Sequence, residues 1–312
     1  MTTSFTTIAG WIEERQAANK RSGSVLITLF ADFVLPHGGA VALGSLVEAG
    51  ALTGISEQTI RSSVNRLAAD GWLTTKAMGR RSICRLSETA QRRVNTAIPR
   101  VYQNASELWD GQWHLLVANN WKIEPDTYTQ YVRDLLWSGF GKIAENVFIR
   151  PKLSNMAVCC DGDLREAILH SMVCFEGNAK ACIQASSIDE MINKAWELGT
   201  VQARYQVFIE RYEDLLAAIW KSPRIPGAQA FAIRSMMIHD FRRIRLLDPG
   251  LPSSLHPTSW NGERAFYIAH ELYDLLMPSS EQFIMEAMQG PDGRIPFVDS
   301  SFYDRFGGLT RN

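Results

Sequence analysis

Residues 56–85 of the chain read SEQTIRSSVNRLAADGWLTTKAMGRRSICR and begin with the features of a capped helix. Ser56 can accept a hydrogen bond from a free backbone amide in the first helical turn. Ile60, Val64 and Leu67 follow at helical spacing, which predicts that one face of the helix packs inward. The sequence therefore predicts an amphipathic helix that starts at Ser56 and has a polar outer face.

A hairpin is predicted directly after this helix. Gly71 suits the left-handed backbone conformation that commonly ends a helix. Residues 72–76 and 81–86 then predict two strands, which a turn at 77–80 connects. A helix followed by such a hairpin is the order of elements in a winged helix-turn-helix, a DNA-binding fold. The candidate DNA-binding residues on these elements are Ser56, Arg61, Ser62, Asn65, Arg66, Lys76, Arg80 and Arg81.

The side chains of this set suit two kinds of DNA contact. Arg61, Asn65 or Arg66 could form bidentate hydrogen bonds with the edge of a guanine or an adenine. The cations of the hairpin suit phosphates, which contribute affinity without sequence choice. A solvated polar face is the ordinary alternative for such helix residues, and the basic hairpin beside them favours DNA binding.

The distribution of charge along the 312 residues indicates a basic head on an acidic body. Residues 1–105 contain 12 Lys and Arg and 7 Asp and Glu, and the rest contains 20 and 26, so the two parts carry net charges of +5 and −6. This division favours a DNA-binding head attached to another body. Five cysteines without a CxxC motif indicate reduced core thiols in a cytoplasmic protein. Neither a membrane span nor a secretory signal is visible in the sequence.

Further helices are predicted around the helix and hairpin. Apolar residues 24–35 predict a deeply buried helix, and residues 40–49 predict a second one that Gly50 ends. Residues 87–104 predict a helix that links the head to the body. A frayed helix or arm is predicted for the first 20 residues.

The middle of the chain changes to alternating strands and helices. Strands are predicted at residues 113–118, 143–149, 156–160 and 172–175, with helices after Pro125 and at 163–170. This order, βαββαβ, is that of a ferredoxin-like domain.

From Ser187 onward the sequence predicts helices. Ser187 and Glu190 form a capping box, and residues 201–219 contain a long apolar stripe. Further helices are predicted at 228–247 and 263–277, before an irregular tail. The whole chain thus predicts an α+β multidomain protein. Its domains are a winged-helix DNA-binding domain with its linking helix (1–105), a ferredoxin-like domain (106–185) and a helical carboxy-terminal domain (186–312).

Three segments of the sequence carry a family resemblance. The first comprises IRSSVNRL at 60–67, GWL at 71–73, GRRS at 79–82 and RLS at 85–87; the second is SGFGKIAENVFIRP at 138–151; the third comprises IHDFRR at 238–243 with Asp248-Pro249, Leu251-Pro252, Pro257 and Trp260. Together they resemble the PaaX family of bacterial transcriptional repressors, which control phenylacetic acid catabolism.

This resemblance implies an amino-terminal winged helix, a middle domain similar to the ferredoxin-like fold of Cas2, and a helical carboxy-terminal domain. It also implies a cytoplasmic repressor that binds a double-stranded DNA operator as a homodimer. Phenylacetyl-coenzyme A or a related acyl-CoA is expected to release the repressor as an effector. No cofactor, metal or membrane is expected to take part.

The resemblance gives the basic residues of the predicted helix at 228–247 a candidate role in effector binding. Arg234, Arg242 and Arg245 fall on one side of this helix, where they could hold coenzyme A phosphates or transmit a signal to the head. Ion pairing with acidic neighbours is the alternative for them. Trp260 could line an aromatic acyl pocket, although core packing is the commoner use of such a residue. The candidate effector-binding residues are Arg234, His239, Arg242, Arg243, Arg245 and Trp260.

Two enzyme functions are the alternatives to repression. A nucleic-acid-processing enzyme built on the Cas2-like domain needs a carboxylate after the first strand to hold a divalent metal, and this chain has Asn119 and Asn120 there. An acyl-CoA-handling enzyme needs a placed nucleophile or base, and no catalytic motif supplies one. His239, His256 and His270 match no metal-binding spacing. The sequence therefore favours a regulator without catalytic residues.

Overall fold

The structure is a computed structural model of an α+β protein, which confirms the predicted class. It describes residues 7–18, 22–104, 109–118, 125–152, 172–179, 186–222 and 224–310. The chain divides into two compact units, of which the first contains Met1–Asn104, Tyr205–Arg245 and Gly262–Asn312 and the second Ala105–Arg204 and Leu246–Asn261. The three domains expected at 1–105, 106–185 and 186–312 stay a prediction.

The amino-terminal part of the first unit consists of helices around a small antiparallel sheet. Its elements are α1 (Ile8–Ala18), α2 (Ser22–Leu29, continued by a π-helical turn over Phe30–Val34), β1 (Ala40–Ala42), α3 (Leu43–Leu52), α4 (Glu57–Ala69), β2 (Leu73–Met78), β3 (Arg81–Leu86) and α5 (Glu88–Tyr102). The strands lie in the order β1-β3-β2. The predicted helix from Ser56 and the hairpin after it are confirmed, as is the left-handed Gly71, whose φ is 73°.

The prediction of one helix over residues 40–49 was wrong at both ends. Val41 pairs with Cys84 on β3, and both side chains are completely buried. This ladder satisfies the backbone groups of a short strand, so α3 begins only at Leu43. Gly50 lies within α3 instead of ending it. Pairing with a distant strand is not visible in local periodicity, which explains the error.

Helices α3 and α4 approach each other closely at Gly50. A Cβ atom added there would lie 2.7 Å from Ile60 Cγ1 and closer still to its Cδ1. Ile60 is completely buried, so the missing side chain at Gly50 lets α4 pack directly onto α3. Gly44, near the start of the same helix, has no atom within 4 Å of its Cβ position.

The second unit contains an antiparallel sheet and helices. Its elements include β4 (Gln112–Ala118), α6 (Pro125–Trp137), β5 (Gly141–Ala144), β6 (Val147–Pro151), β7 (Met172–Asn178) and α7 (Ser186–Trp196), with the strands ordered β5-β6-β4-β7. The strand predicted at 143–149 is a hairpin of β5 and β6, because Glu145 and Asn146 form a turn. The strand predicted at 156–160, the helix at 163–170 and the capping side chain of Ser187 lie outside the described residues.

The cysteines are only in part the core thiols that the sequence predicts. Cys84 is buried, and burial raises the pKa of its thiol to about 11. Cys174 is exposed, so its assignment as a core thiol was wrong; it lies on β7, whose residues after Met172 are exposed. Cys159, Cys160 and Cys182 lie outside the described residues.

Long helices follow in the carboxy-terminal part of the chain. They are α8 (Leu198–Trp220), α9 (Gly227–Arg245) and α10 (Gly262–Ala287), after which come β8 (Gln289–Gly290), β9 (Gly293–Arg294) and a 3-10 helix over Ser300–Gly307. The predicted apolar stripe of α8 is confirmed, because all of its members are buried: Val201, Tyr205, Phe208, Tyr212, Leu215, Leu216 and Ile219. None of the described helices is long and apolar enough to cross a membrane.

Helix α10 continues well past its predicted end at residue 277. It passes through Pro278, which lacks the amide that a helix normally uses. Ser280 and Ile284 are nevertheless completely buried in the following turns. Tertiary packing of these turns therefore outweighs the local cost of the proline.

The two parts of the first unit share one hydrophobic core. Leu26, Phe30 and Phe33 pack in the same cluster as Phe231 of α9 and Ile284 of α10. The rings of Phe33 and Phe231 meet edge to face, with their centroids 5.3 Å apart. The amino-terminal elements are thus continuous with the carboxy-terminal helices of this unit.

A buried charge network crosses the shared core around Asp32. Asp32 is 3% exposed, and its carboxylate accepts hydrogen bonds from Arg234 Nε at 3.0 Å and Arg305 Nη1 at 2.9 Å. The hydroxyl groups of Tyr102 and Tyr273 donate to the same carboxylate, each at 2.8 Å. One anion therefore holds side chains from α5, α9, α10 and the carboxy-terminal 3-10 helix.

Glu281 supplies the second negative charge of this network. Arg234 donates to Ser280 and to Glu281, and His37 Nε2 lies 2.9 Å from the other carboxylate oxygen of Glu281. Burial alone raises the pKa of Glu281, but Arg234 and His37 outweigh it and lower that pKa to about 2. Two carboxylates thus compensate the two buried guanidinium groups.

We expect Asp32→Asn to destabilise the first unit by about 3–5 kcal/mol, because two buried guanidinium groups lose the charge that compensates them. Hydrogen exchange of the backbone amides of α2 and α9 measures this change in the free energy of unfolding. Glu213→Gln is the control, since it removes a carboxylate from a half-exposed pair with Arg264 and costs at most about 1 kcal/mol. Equal effects of the two substitutions would contradict the role of Asp32.

We expect Gly50→Ala to lower the free energy of unfolding by about 1–3 kcal/mol, because the added methyl group overlaps Ile60. Gly44→Ala, on the same helix but with open space at its Cβ position, is expected to raise it by about 0.5–1 kcal/mol. Thermal unfolding of both variants measures the difference. A Gly50→Ala protein as stable as Gly44→Ala would mean that α4 does not depend on this close approach.

Candidate nucleic-acid interface

Helix α4 starts at the cap that the sequence predicts. Ser56 Oγ accepts a hydrogen bond from the amide of Thr59 at 3.3 Å. Ile60 and Val64 are almost completely buried, and Leu67 is 8% exposed. The predicted cap and the predicted inward face are both confirmed.

The opposite face of α4 is open to solvent. It exposes Arg61, Ser62, Asn65 and Arg66. Arg61 Nε donates to Glu57 at 2.8 Å, and Ser62 donates to the backbone of its own helix. Within the described part of the chain, Asn65 and Arg66 have no hydrogen bond or ion pair through their side chains. Their donors are therefore available to an external partner.

Helix α4 also rests on the first turn of α2. Ser63 Oγ lies 2.6 Å from Ser22 Oγ, and these two hydroxyl groups share a hydrogen bond. A Cβ atom at Gly23 would lie 3.1 Å from Arg66 Nη2, so the Arg66 guanidinium runs beside the start of α2. The position of the exposed face thus depends on α2 as well as on α3.

The β2–β3 hairpin presents basic side chains to solvent. Met78 pairs with Arg81, and Gly79 has a left-handed φ of 59° at the turn. Lys76, Arg80 and Arg81 are exposed and form no ion pair with another residue that the structure describes. Strand β3 anchors the hairpin through its buried residues.

The exposed face of α4 and the hairpin are held on one core. Leu67 of α4, Leu73 of β2 and Leu86 of β3 belong to the same hydrophobic cluster, which fixes the two elements relative to each other. Guanidinium and amide groups can read base edges, and cations hold phosphates. Among the described residues, no group of three or more His, Cys, Asp or Glu side chains is placed to hold a metal ion.

Four of the predicted effector-binding residues on α9 contact the amino-terminal part of the same unit. Arg234 is 1% exposed and lies in the network around Asp32. His239 Nδ1 lies 2.9 Å from Thr28 Oγ1 on α2. Burial lowers the pKa of His239 to about 4, so its ring is neutral near pH 7. The other two are Arg242 and Arg245.

Arg242 and Arg245 are also engaged by backbone and hydroxyl groups. Arg242 donates to Thr28 Oγ1 and to the carbonyl of Ser24, each at 3.2 Å. Arg245 donates to two carbonyl groups at the end of α5. Arg243 is partly exposed beside them. The structure therefore brings five of the predicted effector residues together on α9.

The sixth predicted effector residue, Trp260, belongs to the second unit. Its ring stacks on His256 with the centroids 4.8 Å apart. It also packs beside the cluster that contains Trp113 and Leu251. Effector binding by Trp260 and by the residues of α9 stays a prediction.

Sequence reasoning did not single out two residues at the centre of the first unit. Asp32 interrupts an apolar run, and a carboxylate in a predicted buried helix is itself a signal for a buried partner. Arg305 lies in the tail that was predicted to be irregular, where no local pattern marks it. The hairpin of β8 and β9 was missed for the same reason.

Comparisons with known proteins agree with the sequence segments described above. Two family models match: PaaX-like protein at residues 21–90 and PaaX-like protein C-terminal domain at residues 196–286. The chain is 30% identical over 294 residues to the transcriptional repressor PaaX of Escherichia coli (strain K12), which covers 93% of this chain and 91% of that protein.

A solved structure, the uncharacterized protein Rv0674 from Mycobacterium tuberculosis, has a TM-score of 0.47 and 20% sequence identity, over 77% of this chain and 89% of that one. The sequence matches include α4, the β2–β3 hairpin and α9. A member of the PaaX family is 30% identical to this chain over 93% of the chain's length, so the chain belongs to the PaaX family.

Proposed function

We propose that this protein is a transcriptional repressor that binds double-stranded DNA through α4 and the β2–β3 hairpin, arranged as a winged helix-turn-helix. The observation that carries the proposal is the outward face of α4, where Asn65 and Arg66 keep unused donors next to a basic hairpin. Membership of the PaaX family supports the same function, since the Escherichia coli member is a transcriptional repressor.

Helix α4 supplies the residues that read DNA sequence. Arg66 can pair bidentately with guanine and Asn65 with adenine in the major groove. Arg61 exchanges Glu57 for a base or a phosphate on binding. The cost of this exchange is small, because both partners of the pair are at least half exposed.

The remaining candidates suit the DNA backbone. Lys76, Arg80 and Arg81 lie on the hairpin, where each cation can neutralise one phosphate and release its counterions. The exposed hydroxyl group of Ser56, at the start of α4, can donate to a phosphate oxygen, and that of Ser62 can do so by giving up its hydrogen bond to the carbonyl of Thr59. These contacts fix the register of the protein on DNA without selecting a sequence.

The repressor works as a homodimer on a palindromic operator. One recognition helix reads only a few base pairs, so adequate specificity needs two copies. We assign dimerisation or spacing to the second unit. The strand order β7-β4-β6-β5, with every neighbouring pair antiparallel, supports a ferredoxin-like, Cas2-like domain there.

A nuclease activity of this Cas2-like domain is the weaker alternative. Asn119 and Asn120, which lie outside the described residues, stand where such a nuclease needs a carboxylate for its metal. The related repressor also supports a regulator over an enzyme that handles nucleic acid or acyl-CoA.

The regulated genes are those of phenylacetic acid catabolism, and phenylacetyl-coenzyme A or a related acyl-CoA is the effector. The family resemblance supports both assignments. The effector acts in the cytoplasm by binding better to a conformer that does not match the operator. To control transcription it weakens DNA binding by a coupling free energy of about 1–3 kcal/mol.

Helix α9 is the element through which the effector signal reaches α4. Arg242 and His239 hold Thr28 of α2, and the first turn of α2 is hydrogen-bonded to Ser63 of α4. Because the donors of Arg234 and Arg242 already bind protein groups, a connecting role suits them better than direct phosphate binding.

We expect Arg66→Ala to weaken binding to a preferred duplex about 5–150-fold, which corresponds to the 1–3 kcal/mol of one bidentate base contact. The duplex is first enriched from a random pool with the wild-type protein, and fluorescence anisotropy measures the affinities. Arg264→Ala is the control, because it removes an exposed arginine that is already paired with Glu213. If all three proteins bind this duplex equally, α4 is not the reading helix.

We expect phenylacetyl-coenzyme A to lower the apparent affinity for the same duplex about 5–150-fold in a gel-shift assay. Coenzyme A alone and phenylacetate alone are the controls, since each lacks half of the expected ligand. No change at a saturating concentration of the thioester would leave the repressor assignment intact but remove this effector.

A further inference from the structure

The carboxy-terminal hairpin of β8 and β9 lies against the winged-helix elements. The backbone amide of Gln289, the first residue of β8, donates a hydrogen bond to Ser45 Oγ of α3 at 2.9 Å. Met288 and Ile295, which flank the hairpin on either side, are buried in the core cluster that also contains Leu67 of α4. The hairpin is therefore fixed to this part of the protein by hydrogen bonding and by apolar packing.

Strand β8 contacts β1, which is an edge strand of the sheet that contains the β2–β3 hairpin. At the base, the carbonyl of Pro296 lies 2.5 Å from His37 Nδ1, just before β1. At the other end, a Cβ atom on Gly293 would lie 3.9 Å from Arg81 Nη1. Gly293 therefore lies next to the end of the Arg81 side chain, which extends from the turn of the β2–β3 hairpin.

Arg294, which is near the carboxy-terminal end of the sequence, thus lies close to the basic β2–β3 hairpin. Its side chain is exposed, as is that of Arg81 beside Gly293. In the described ranges neither guanidinium group forms an ion pair or a hydrogen bond. Asp292, at the turn of the same hairpin, is exposed as well.

Arg81 and Arg294 lie on adjacent elements, and neither guanidinium group has a compensating partner among the described residues, so a polyanion can bind both. A phosphate backbone presents its charges in a row, which matches cations spread over adjacent elements. The backbone under Arg294 is already ordered by Met288 and Ile295, so little chain entropy is lost when its side chain binds.

We propose that the β8–β9 hairpin is part of the DNA-binding surface and that Arg294 contacts a phosphate next to the one held by Arg81. This inference rests on the proposed DNA-binding function and extends it to a segment beyond both family-model matches, which end at residues 90 and 286. Asp292 opposes binding at the same place, because its exposed carboxylate puts a negative charge at the turn of the same hairpin.

The test measures binding of the full-length protein to a mixed-sequence DNA duplex by fluorescence anisotropy between about 50 and 200 mM salt. Arg294→Gln is expected to lower the magnitude of the slope of log K against log salt by about 0.9, the value of one phosphate contact. Arg80→Gln, which removes a cation of the β2–β3 hairpin, is the reference and is expected to lower the slope by a similar amount. Arg264→Gln, at the exposed pair with Glu213, is the control and is expected to keep the wild-type slope.

Asp292→Asn is a variant for which the opposite change in DNA affinity is expected. Removing its negative charge is expected to raise affinity at low salt, whereas a protein that merely lost structure would bind less. An Asp292→Asn protein that binds no tighter than the wild type would count against the placement of the hairpin at the DNA.

The outcomes separate this inference from the function on which it rests. If Arg80→Gln loses a contact while Arg294→Gln matches Arg264→Gln, Arg294 is a solvated surface residue and the inference is overturned. If Arg80→Gln and Arg66→Ala also match Arg264→Gln, the proposed DNA-binding function fails.

Discussion

The buried carboxylate of Asp32 is the constraint on which the first unit depends. It accepts hydrogen bonds from Arg234 of α9 and from Arg305 near the end of the chain, and from the hydroxyl groups of Tyr102 and Tyr273. A buried ion pair adds little net stability over apolar packing, but losing one partner leaves an uncompensated charge and costs several kcal/mol. The network therefore selects one arrangement of the segments that it joins.

This arrangement limits how α4 and the β2–β3 hairpin, the proposed DNA-binding elements, can move. Arg242 and His239 attach α9 to Thr28 of α2, and the start of α2 is bonded to Ser63 of α4. A rotation of α2, together with α4, against α9 would break these hydrogen bonds and separate the rings of Phe33 and Phe231, which meet in the shared core. We therefore expect regulation to change the conformation of the whole first unit and not to move α4 and the hairpin alone, because packed cores switch between discrete states.

Elements with local signals were predictable from the sequence, and elements that depend on distant partners were not. The cap at Ser56 and the buried face of α4 depend on side chains within one or two turns. The strand at Ala40–Ala42 exists because β3 pairs with it, and α10 passes through Pro278 because its later turns are buried. For the candidate site, exposed polar residues on α4 could be foreseen from periodicity. The burial of Arg234 could not, because a ligand cradle and a buried ion pair have the same pattern in the sequence.

The arginines of the first unit divide into a buried class and an exposed class, which the sequence pattern does not distinguish. Arg234, Arg242 and Arg305 direct their donors to carboxylates, hydroxyls and carbonyls of the protein, so an external phosphate would have to displace existing hydrogen bonds. Arg66 and Arg294 are exposed and have no such partner in the described part of the chain. A guanidinium group contributes binding free energy only when its new hydrogen bonds exceed those it gives up. We therefore assign the proposed recognition of nucleic acid to the exposed class, which the buried class holds in position.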